Sequence, residues 1–224
     1  MGLHIKSTNN LIRKIWIARS CLWKDRRPTL VYYRTAKTGS NSIIDSIQRS
    51  FESYIEIKNE KDLAKIANHH KIIIVSVASK PFRDRYIRIQ EALNRIENKR
   101  SFAVVRNPYT KVISSYKYLK YEKSIEQLLQ DPPSEEPGFS HFSRTQTEAL
   151  FLNGKQIPEH IIKIEELSNN IDEFYRAHGF NIPKLRTLNS SGNKKVNLSE
   201  KAIGLVNEIY NDDFINFGYK KIIV

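Results

Sequence analysis

Residues 30–51 read LVYYRTAKTGSNSIIDSIQRSF, and this stretch decides the fold. Its first four residues form a short apolar run with the β-branched and aromatic composition of a buried strand. Apolar residues then recur at intervals of three and four, the spacing of an amphipathic helix: Ile43, Ile44, Ile47 and Phe51. The stretch therefore predicts a strand, a polar turn and a helix.

The polar turn between them has the residue types of an anion-binding loop. Lys37 supplies a positive charge, and Gly39 lets the backbone approach a ligand closely. The first turn of the following helix adds unpaired N–H groups, which bind phosphate-like groups. Hydroxyl donors come from Thr38, Ser40 and Ser42. Taken alone, the turn fits an ordinary polar loop equally well, and it lacks the glycine spacing of G-x-x-x-x-G-K-[ST].

Strand-like and helix-like segments alternate along the rest of the chain. Predicted strands cover residues 71–77, 101–105 and 161–164, and predicted helices cover 82–96, 108–119, 146–152, 168–179 and 203–210. This alternation predicts an α/β fold with a mostly parallel sheet covered by helices on both faces. In such sheets, ligands bind beyond the carboxyl ends of the strands.

A second candidate anion site follows the strand at 101–105. Arg106 at the strand end can bind a phosphate or sulfate through two parallel hydrogen bonds. Asn107 is a natural N-cap and Pro108 a natural first helical residue. Ser114, eight residues after the arginine, lies near the second helical turn. The alternative is a surface salt bridge for Arg106.

Length and composition set further limits. The 224 residues suit one domain, predicted over 29–224, with a basic segment at 1–28. With a formal net charge of +13, the chain attracts anions without selecting among them. It shows no zinc pattern or recognition helix, so no nucleic-acid partner is expected. The single cysteine, Cys21, and the lack of a signal peptide or long apolar run predict a cytoplasmic protein whose basic segment could touch a membrane surface.

Together, these two sites resemble those of the sulfotransferases that use 3′-phosphoadenosine 5′-phosphosulfate (PAPS). Residues 37–42, KTGSNS, look like the 5′-phosphosulfate loop of that family, and residues 102–119, FAVVRNPYTKVISSYKYL, are similar to its 3′-phosphate motif. The resemblance implies a P-loop-like three-layer fold. It covers roughly residues 30–220 and leaves the basic segment outside.

Within that superfamily, this sequence most resembles the carbohydrate branch. Its features occur here in the same order: Thr145-Gln146-Thr147 with Leu152 and Gly154, Ile164-Glu165-Glu166-Leu167, Leu188-Asn189-Ser190-Ser191, and Tyr210 to Phe214 followed by Phe217-Gly218-Tyr219. The chain departs from the family at Ala36, where proline is common, and at Asn41, where threonine is common. Without a membrane anchor or luminal disulfides, it looks like a soluble bacterial or viral relative.

The resemblance implies roles for individual residues. Lys37 would neutralise charge on the leaving phosphate, and Lys37, Thr38, Gly39, Ser40, Asn41 and Ser42 would bind the 5′-phosphosulfate. Arg106 and Ser114 would hold the 3′-phosphate. No metal is required. The histidine that many carbohydrate members carry after the second strand is missing from residues 76–80, so the general base is open among His141, Glu91 and Asp84, with His141 preferred.

Two other function classes compete with a PAPS-dependent sulfotransferase. A P-loop-like kinase would need a Walker-type loop and an acid for magnesium, and neither is visible. A catalytically inactive polyanion-binding module fits the charge, but it does not need two separate anion motifs. The acceptor would be a glycan or another hydroxylated molecule. An acidic glycan fits the positive charge, although the donor could account for part of it.

Overall fold

The computed structural model describes residues 28–50, 54–58, 60–68, 72–77, 86–186 and 196–224. Several sequence predictions lie outside these ranges: the basic N-terminal segment, residues 78–80 of the stretch that lacks the family histidine, Asp84, and the motif Leu188-Asn189-Ser190-Ser191.

A five-stranded sheet forms the centre of the molecule. Its strands are β1 (Thr29–Arg34), β2 (Ile55–Ile57), β3 (Ile72–Ser76), β4 (Lys99–Val105) and β7 (His160–Lys163). Their order is β2-β3-β1-β4-β7, and every pairing is parallel. A separate antiparallel hairpin joins β5 (Phe151–Leu152) to β6 (Lys155–Gln156). The predicted mostly parallel sheet is confirmed.

Helices cover both faces of this sheet. Their bounds are α1 Ser40–Gln48, α2 Tyr86–Leu93, α3 Pro108–Leu119, α4 Ile125–Gln130, α5 Gln146–Leu150, α6 Leu167–Ala177, α7 Glu200–Ile209 and α8 Asn211–Phe217. Because side chains alternate along a strand, Val31 and Tyr33 pack with α2 and α5 on one face. Leu30 and Tyr32 pack with α1 and α6 on the other. This is the three-layer, P-loop-like architecture predicted from the sequence.

A third apolar cluster lies beneath α3, α4, α7 and α8. Tyr109 and Val112 of α3 pack there with Phe142, Val206 and Phe214. The cluster anchors α3, which begins directly after β4 and carries Ser114. It also anchors a short π-helical turn, Phe139–Ser143, which carries His141. One apolar core therefore sets the positions of two candidate site elements.

Several element bounds differ from the sequence predictions. Short elements with little periodicity were not predicted: β2, α4, the hairpin, and 3₁₀ helices at Glu60–Asn68 and Ile164–Glu166. Helix α5 ends at Leu150 because Phe151 and Leu152 enter the hairpin. Ser168 does not cap α6, because that helix already begins at Leu167, after the 3₁₀ turn. The predicted last helix, 203–210, corresponds to α7, which begins earlier, at Glu200, and a further helix that was not predicted, α8, follows Tyr210.

Within the described ranges, none of the helices combines the length and the apolar character that crossing a bilayer requires.

Candidate active site

The turn between β1 and α1 has the backbone geometry of an anion cradle. Lys37 has φ of 62° and Gly39 has φ of 75°, both in the left-handed region. A Cβ on Gly39 would also lie 3.2 Å from Cδ1 of Ile164, so glycine suits this position sterically and conformationally. Gly39 is the N-cap of α1 and provides no side-chain cap. The N-terminus of α1 therefore retains backbone donors for a ligand.

The hydroxyls of the turn divide into two groups. Thr38 Oγ1 lies 3.0 Å from Thr35 Oγ1 and donates to the Thr35 carbonyl at 3.2 Å, and Ser40 Oγ donates to the same carbonyl at 3.3 Å. Thr35 Oγ1 in turn donates to the Val104 carbonyl at 2.8 Å, which links the turn to β4. These hydroxyls stabilise the turn. Thr38 and Ser40 would therefore donate to a ligand through their backbone N–H groups rather than through their hydroxyls.

Asn41 and Ser42 differ from those buried hydroxyls. Asn41 is exposed and Ser42 is half-buried, both in the first turn of α1. The Ser42 N–H bonds to the Gly39 carbonyl at 3.1 Å, so its contribution to a ligand would come from the side chain.

Arg106 joins the two predicted anion sites directly. Strands β1 and β4 are neighbours, with Tyr33 opposite Ala103, so the segments that follow them emerge side by side. One terminal nitrogen of Arg106, Nη1, donates to the Lys37 carbonyl at 3.2 Å. This bond holds Lys37 in its left-handed conformation. Burial, and then the nearby Arg106 charge, lower the pKa of Lys37, so the pair favours an anion between its charges.

The start of α3 places further polar groups beside Arg106. The Asn107 side chain accepts from the Tyr109 N–H at 3.0 Å, and Pro108 is the first helical residue, as predicted. Arg106 Nε donates to Thr110 Oγ1 at 3.0 Å. Thr110 and the buried Ser114 follow Arg106 at successive intervals of four residues, so they lie toward one side of α3. Thr110 was not predicted from the sequence as a residue of the site.

A buried polar network fixes the backbone of Arg106. The side-chain amide of Gln146 accepts from the Arg106 N–H at 2.7 Å and donates to the Arg106 carbonyl at 2.8 Å. Asp213 is fully buried and accepts from Gln146 N at 3.0 Å, Gln146 Nε2 at 3.2 Å and Thr147 N at 2.7 Å. Asp213 thus orients Gln146, and Gln146 orients Arg106.

We expect Asp213→Asn to lower the free energy of unfolding by about 2–3 kcal/mol, because an amide cannot accept all three buried N–H bonds. Urea denaturation measures the loss. Asp212→Asn is the matched control, since Asp212 is the preceding residue of α8 and is exposed. Equal stability of the two variants would contradict the assigned role of the network.

Glu165 also supports this strand end. Its carboxylate accepts from the Asn107 N–H at 3.0 Å and from the Tyr219 hydroxyl at 3.0 Å. Burial, and then the Glu165 charge, raise the pKa of Tyr219. From the sequence, Glu165 and Tyr219 were recognisable only as parts of the family resemblance, without a predicted role.

His141 is buried beside Lys37 and is not a surface loop residue. It lies in the π-helical turn with 7% of its surface exposed. Its ring stacks on Tyr118 with centroids 5.5 Å apart and planes at 5°. Lys37 Nζ lies 4.0 Å from the centroid of the same Tyr118 ring. Tyr118 therefore connects the two predicted catalytic side chains. Tyr118 was not predicted as a site residue, although it follows Ser114 by four residues and so lies toward the same side of α3.

The electrostatics around His141 favour its neutral form. Burial, followed by the charges of Lys111 and Lys37, lowers the pKa of His141 to about 4. Lys111 is itself buried and donates to the His141 carbonyl at 3.1 Å and the Arg144 carbonyl at 3.2 Å. Nδ1 of His141 is buried and has no hydrogen-bond partner in the described part of the chain. A neutral imidazole can accept a proton.

The other candidate bases receive less support. Glu91 is exposed on α2, and Asp84 lies outside the described ranges. A search of the described residues also shows no group of three or more His, Cys, Asp or Glu side chains placed to bind a metal ion.

Comparison with known proteins bears on the fold. No protein-family model matches the sequence. No curated protein sequence matches it either. Among solved structures, the chain is similar to a crystal structure of a sulfotransferase from Alicyclobacillus acidocaldarius, with a TM-score of 0.53 and 13% sequence identity. The similarity covers 88% of this chain and 97% of that one. The chain therefore has the fold of a bacterial sulfotransferase.

Proposed function

We propose that this protein transfers the sulfuryl group of PAPS to a hydroxyl group of a carbohydrate acceptor. The observation that carries the proposal is the hydrogen bond from Arg106 to the Lys37 carbonyl, at 3.2 Å. It places two cationic, helix-leading segments side by side at the carboxyl ends of adjacent strands. PAPS has anionic groups at both its 5′ and 3′ positions and matches a pair of such sites.

This geometry supports a donor site with two parts. The N-terminus of α1 and the Lys37 side chain bind the 5′-phosphosulfate. Arg106 binds the 3′-phosphate with the guanidinium edge that its bonds to Lys37 and Thr110 leave free. Ser114 lies two helical turns along the same side of α3. Because PAPS is bound at both its 5′ and its 3′ phosphate groups, the position of its sulfuryl group is fixed.

The reaction is an in-line displacement at sulfur. The acceptor oxygen forms a bond to sulfur while the bond from sulfur to the bridging phosphate oxygen breaks. Lys37 Nζ stabilises the charge that develops on that oxygen. Neutral His141 accepts the acceptor's hydroxyl proton. The products are a sulfate ester and 3′-phosphoadenosine 5′-phosphate (PAP). Catalysis of such a transfer depends on positioning and charge stabilisation more than on covalent intermediates.

Two observations support a carbohydrate acceptor. The motifs that resemble the carbohydrate branch include Gln146, Asp213, Glu165 and Tyr219, and all four contact or support the Arg106 strand end. An exposed tyrosine, Tyr118, also lies beside both catalytic candidates.

Calorimetry with PAP, ATP and heparin, in the presence of a chelator, tests the donor assignment. We expect PAP to bind more tightly than ATP without metal. Metal-dependent ATP binding would favour a kinase. Heparin binding without PAP binding would favour the polyanion-binding module, the second candidate, which the charge of +13 supports.

Arg106→Lys should weaken PAP binding by about 10- to 100-fold, because lysine keeps the charge but loses the two-pronged contact and the bond to the Lys37 carbonyl. Calorimetry measures the change. Arg100→Lys, an exposed substitution earlier in β4, should leave PAP affinity within twofold of the wild type. Equal affinities of all three proteins would remove Arg106 from the donor site.

A further inference from the structure

A groove opens where α3 ends. It has a volume of about 600 Å³, and its walls come from the α3–α4 connection, from α4 and from the segment after α4. Its lining includes Lys120, Tyr121, Glu122, Lys123, Asp131 and Pro133.

Two residues that line the groove, Tyr121 and Pro133, contact the turn that carries His141. Tyr121 packs against Phe142, the residue after His141, with ring centroids 6.3 Å apart. Ser143 Oγ donates to the Pro133 carbonyl at 2.5 Å, so the opposite wall is bonded to the same turn. Both walls of the groove therefore contact the segment that positions the candidate base.

Tyr118 contacts Lys37 and lies near the end of α3, shortly before the groove residues Lys120 and Tyr121. Its side chain is 62% exposed although it contacts both Lys37 and His141. Tyr121 follows it by three positions, with two residues between them, so the two Cα atoms are at most about 11 Å apart. An oligosaccharide is long enough to span that separation.

The charges that line the groove balance. Lys120 and Lys123 contribute two positive charges, and Glu122 and Asp131 contribute two negative charges. Lys123 pairs with Asp131 at 3.0 Å. Although the chain has a charge of +13, this groove has no local cationic excess. Its charged groups can donate and accept hydrogen bonds, and its tyrosine and proline offer flat apolar surfaces.

We propose that Tyr118 and this groove bind the acceptor, and that the acceptor is an uncharged oligosaccharide. A sugar ring has an apolar face that packs on an aromatic ring and a rim of hydroxyls that both donate and accept. The negative charges of Glu122 and Asp131 at the groove would repel a polyanion. The inference rests on the proposed function for its reaction and adds the class of acceptor.

Saturation-transfer NMR tests the inference by binding, independently of sulfate transfer. The probes are cellohexaose and chitohexaose, which are uncharged, and heparin and chondroitin sulfate hexasaccharides, which are acidic. We expect an uncharged probe to bind, and its Kd to rise at least tenfold in Tyr118→Ala and Tyr121→Ala. Tyr121→Phe, which keeps the ring, should remain within threefold of the wild type.

The control is Ile215→Ala, which truncates a side chain that is 68% exposed on α8. It should bind the uncharged probe as the wild type does. Exclusive binding of the acidic probes, or a Kd unchanged in both tyrosine variants, would overturn the inference. Calorimetry with PAP on the same proteins separates the two proposals: loss of the proposed function appears as absent PAP binding, whereas failure of the groove appears with PAP binding intact.

Discussion

Replacing Lys37 with alanine is expected to lower the rate of sulfate transfer by about 100- to 1,000-fold, the usual effect of removing one group that stabilises transition-state charge. The reason is the position of the side chain. Lys37 is half-buried at the N-terminus of α1, and its carbonyl is held by Arg106. Water cannot replace a fixed ammonium group there without reorganising.

The effect should fall on kcat more than on donor affinity. The backbone of the turn and Arg106 still bind the two phosphates of PAP, so its Kd should rise by less than about tenfold, while single-turnover transfer slows by the full amount. Lys155→Ala, an exposed change in the hairpin, is the control and should transfer normally. If Lys37→Ala transferred sulfate at the normal rate, the proposed mechanism would be wrong.

The turn around Lys37 shows how far sequence reasoning extends. The strand, the polar turn and the helix were predictable because each carries a local signal: apolar β-prone residues, a glycine, and helical spacing. That the Lys37 and Arg106 segments lie together was also predictable, because both follow strands of one parallel sheet. The direction of each hydroxyl was not, since Thr38 and Ser40 bond to Thr35, and that contact depends on the folded turn.

His141 marks the limit of that reasoning. Three prolines lie between residues 130 and 141, a composition typical of a loop, yet His141 is buried in a π-helical turn. The contacts that bury it come from Lys111 and Tyr118 of α3, more than twenty residues earlier. Local propensity carries no record of such contacts. The Asp213 network is equally remote in sequence, because it joins residues 106, 146 and 213 through the core.

The buried position of His141 leads to the second large expected effect. His141→Gln should lower kcat by about 100-fold or more, within the usual range for a general base, because the amide cannot take the hydroxyl proton. PAP affinity should change little, since the donor is held by the turn and by Arg106. His160→Gln is the control: His160 is exposed at the start of β7, away from the carboxyl ends of the strands, and its replacement should leave kcat unchanged.

A pH titration separates a catalytic role from a structural one. A base acts in its neutral form, so catalysis that depends on His141 should persist as the pH falls below 6.5 and be lost only near its pKa of about 4. Lys111→Met removes one cation that lowers this pKa, so NMR of the His141 ring should show its titration moving upward, toward 6.5. The low-pH side of the kcat/KM profile, its acid limb, should shift upward in pH together with the His141 titration. An acid limb that stays in place while the ring titration moves would assign proton transfer to another group.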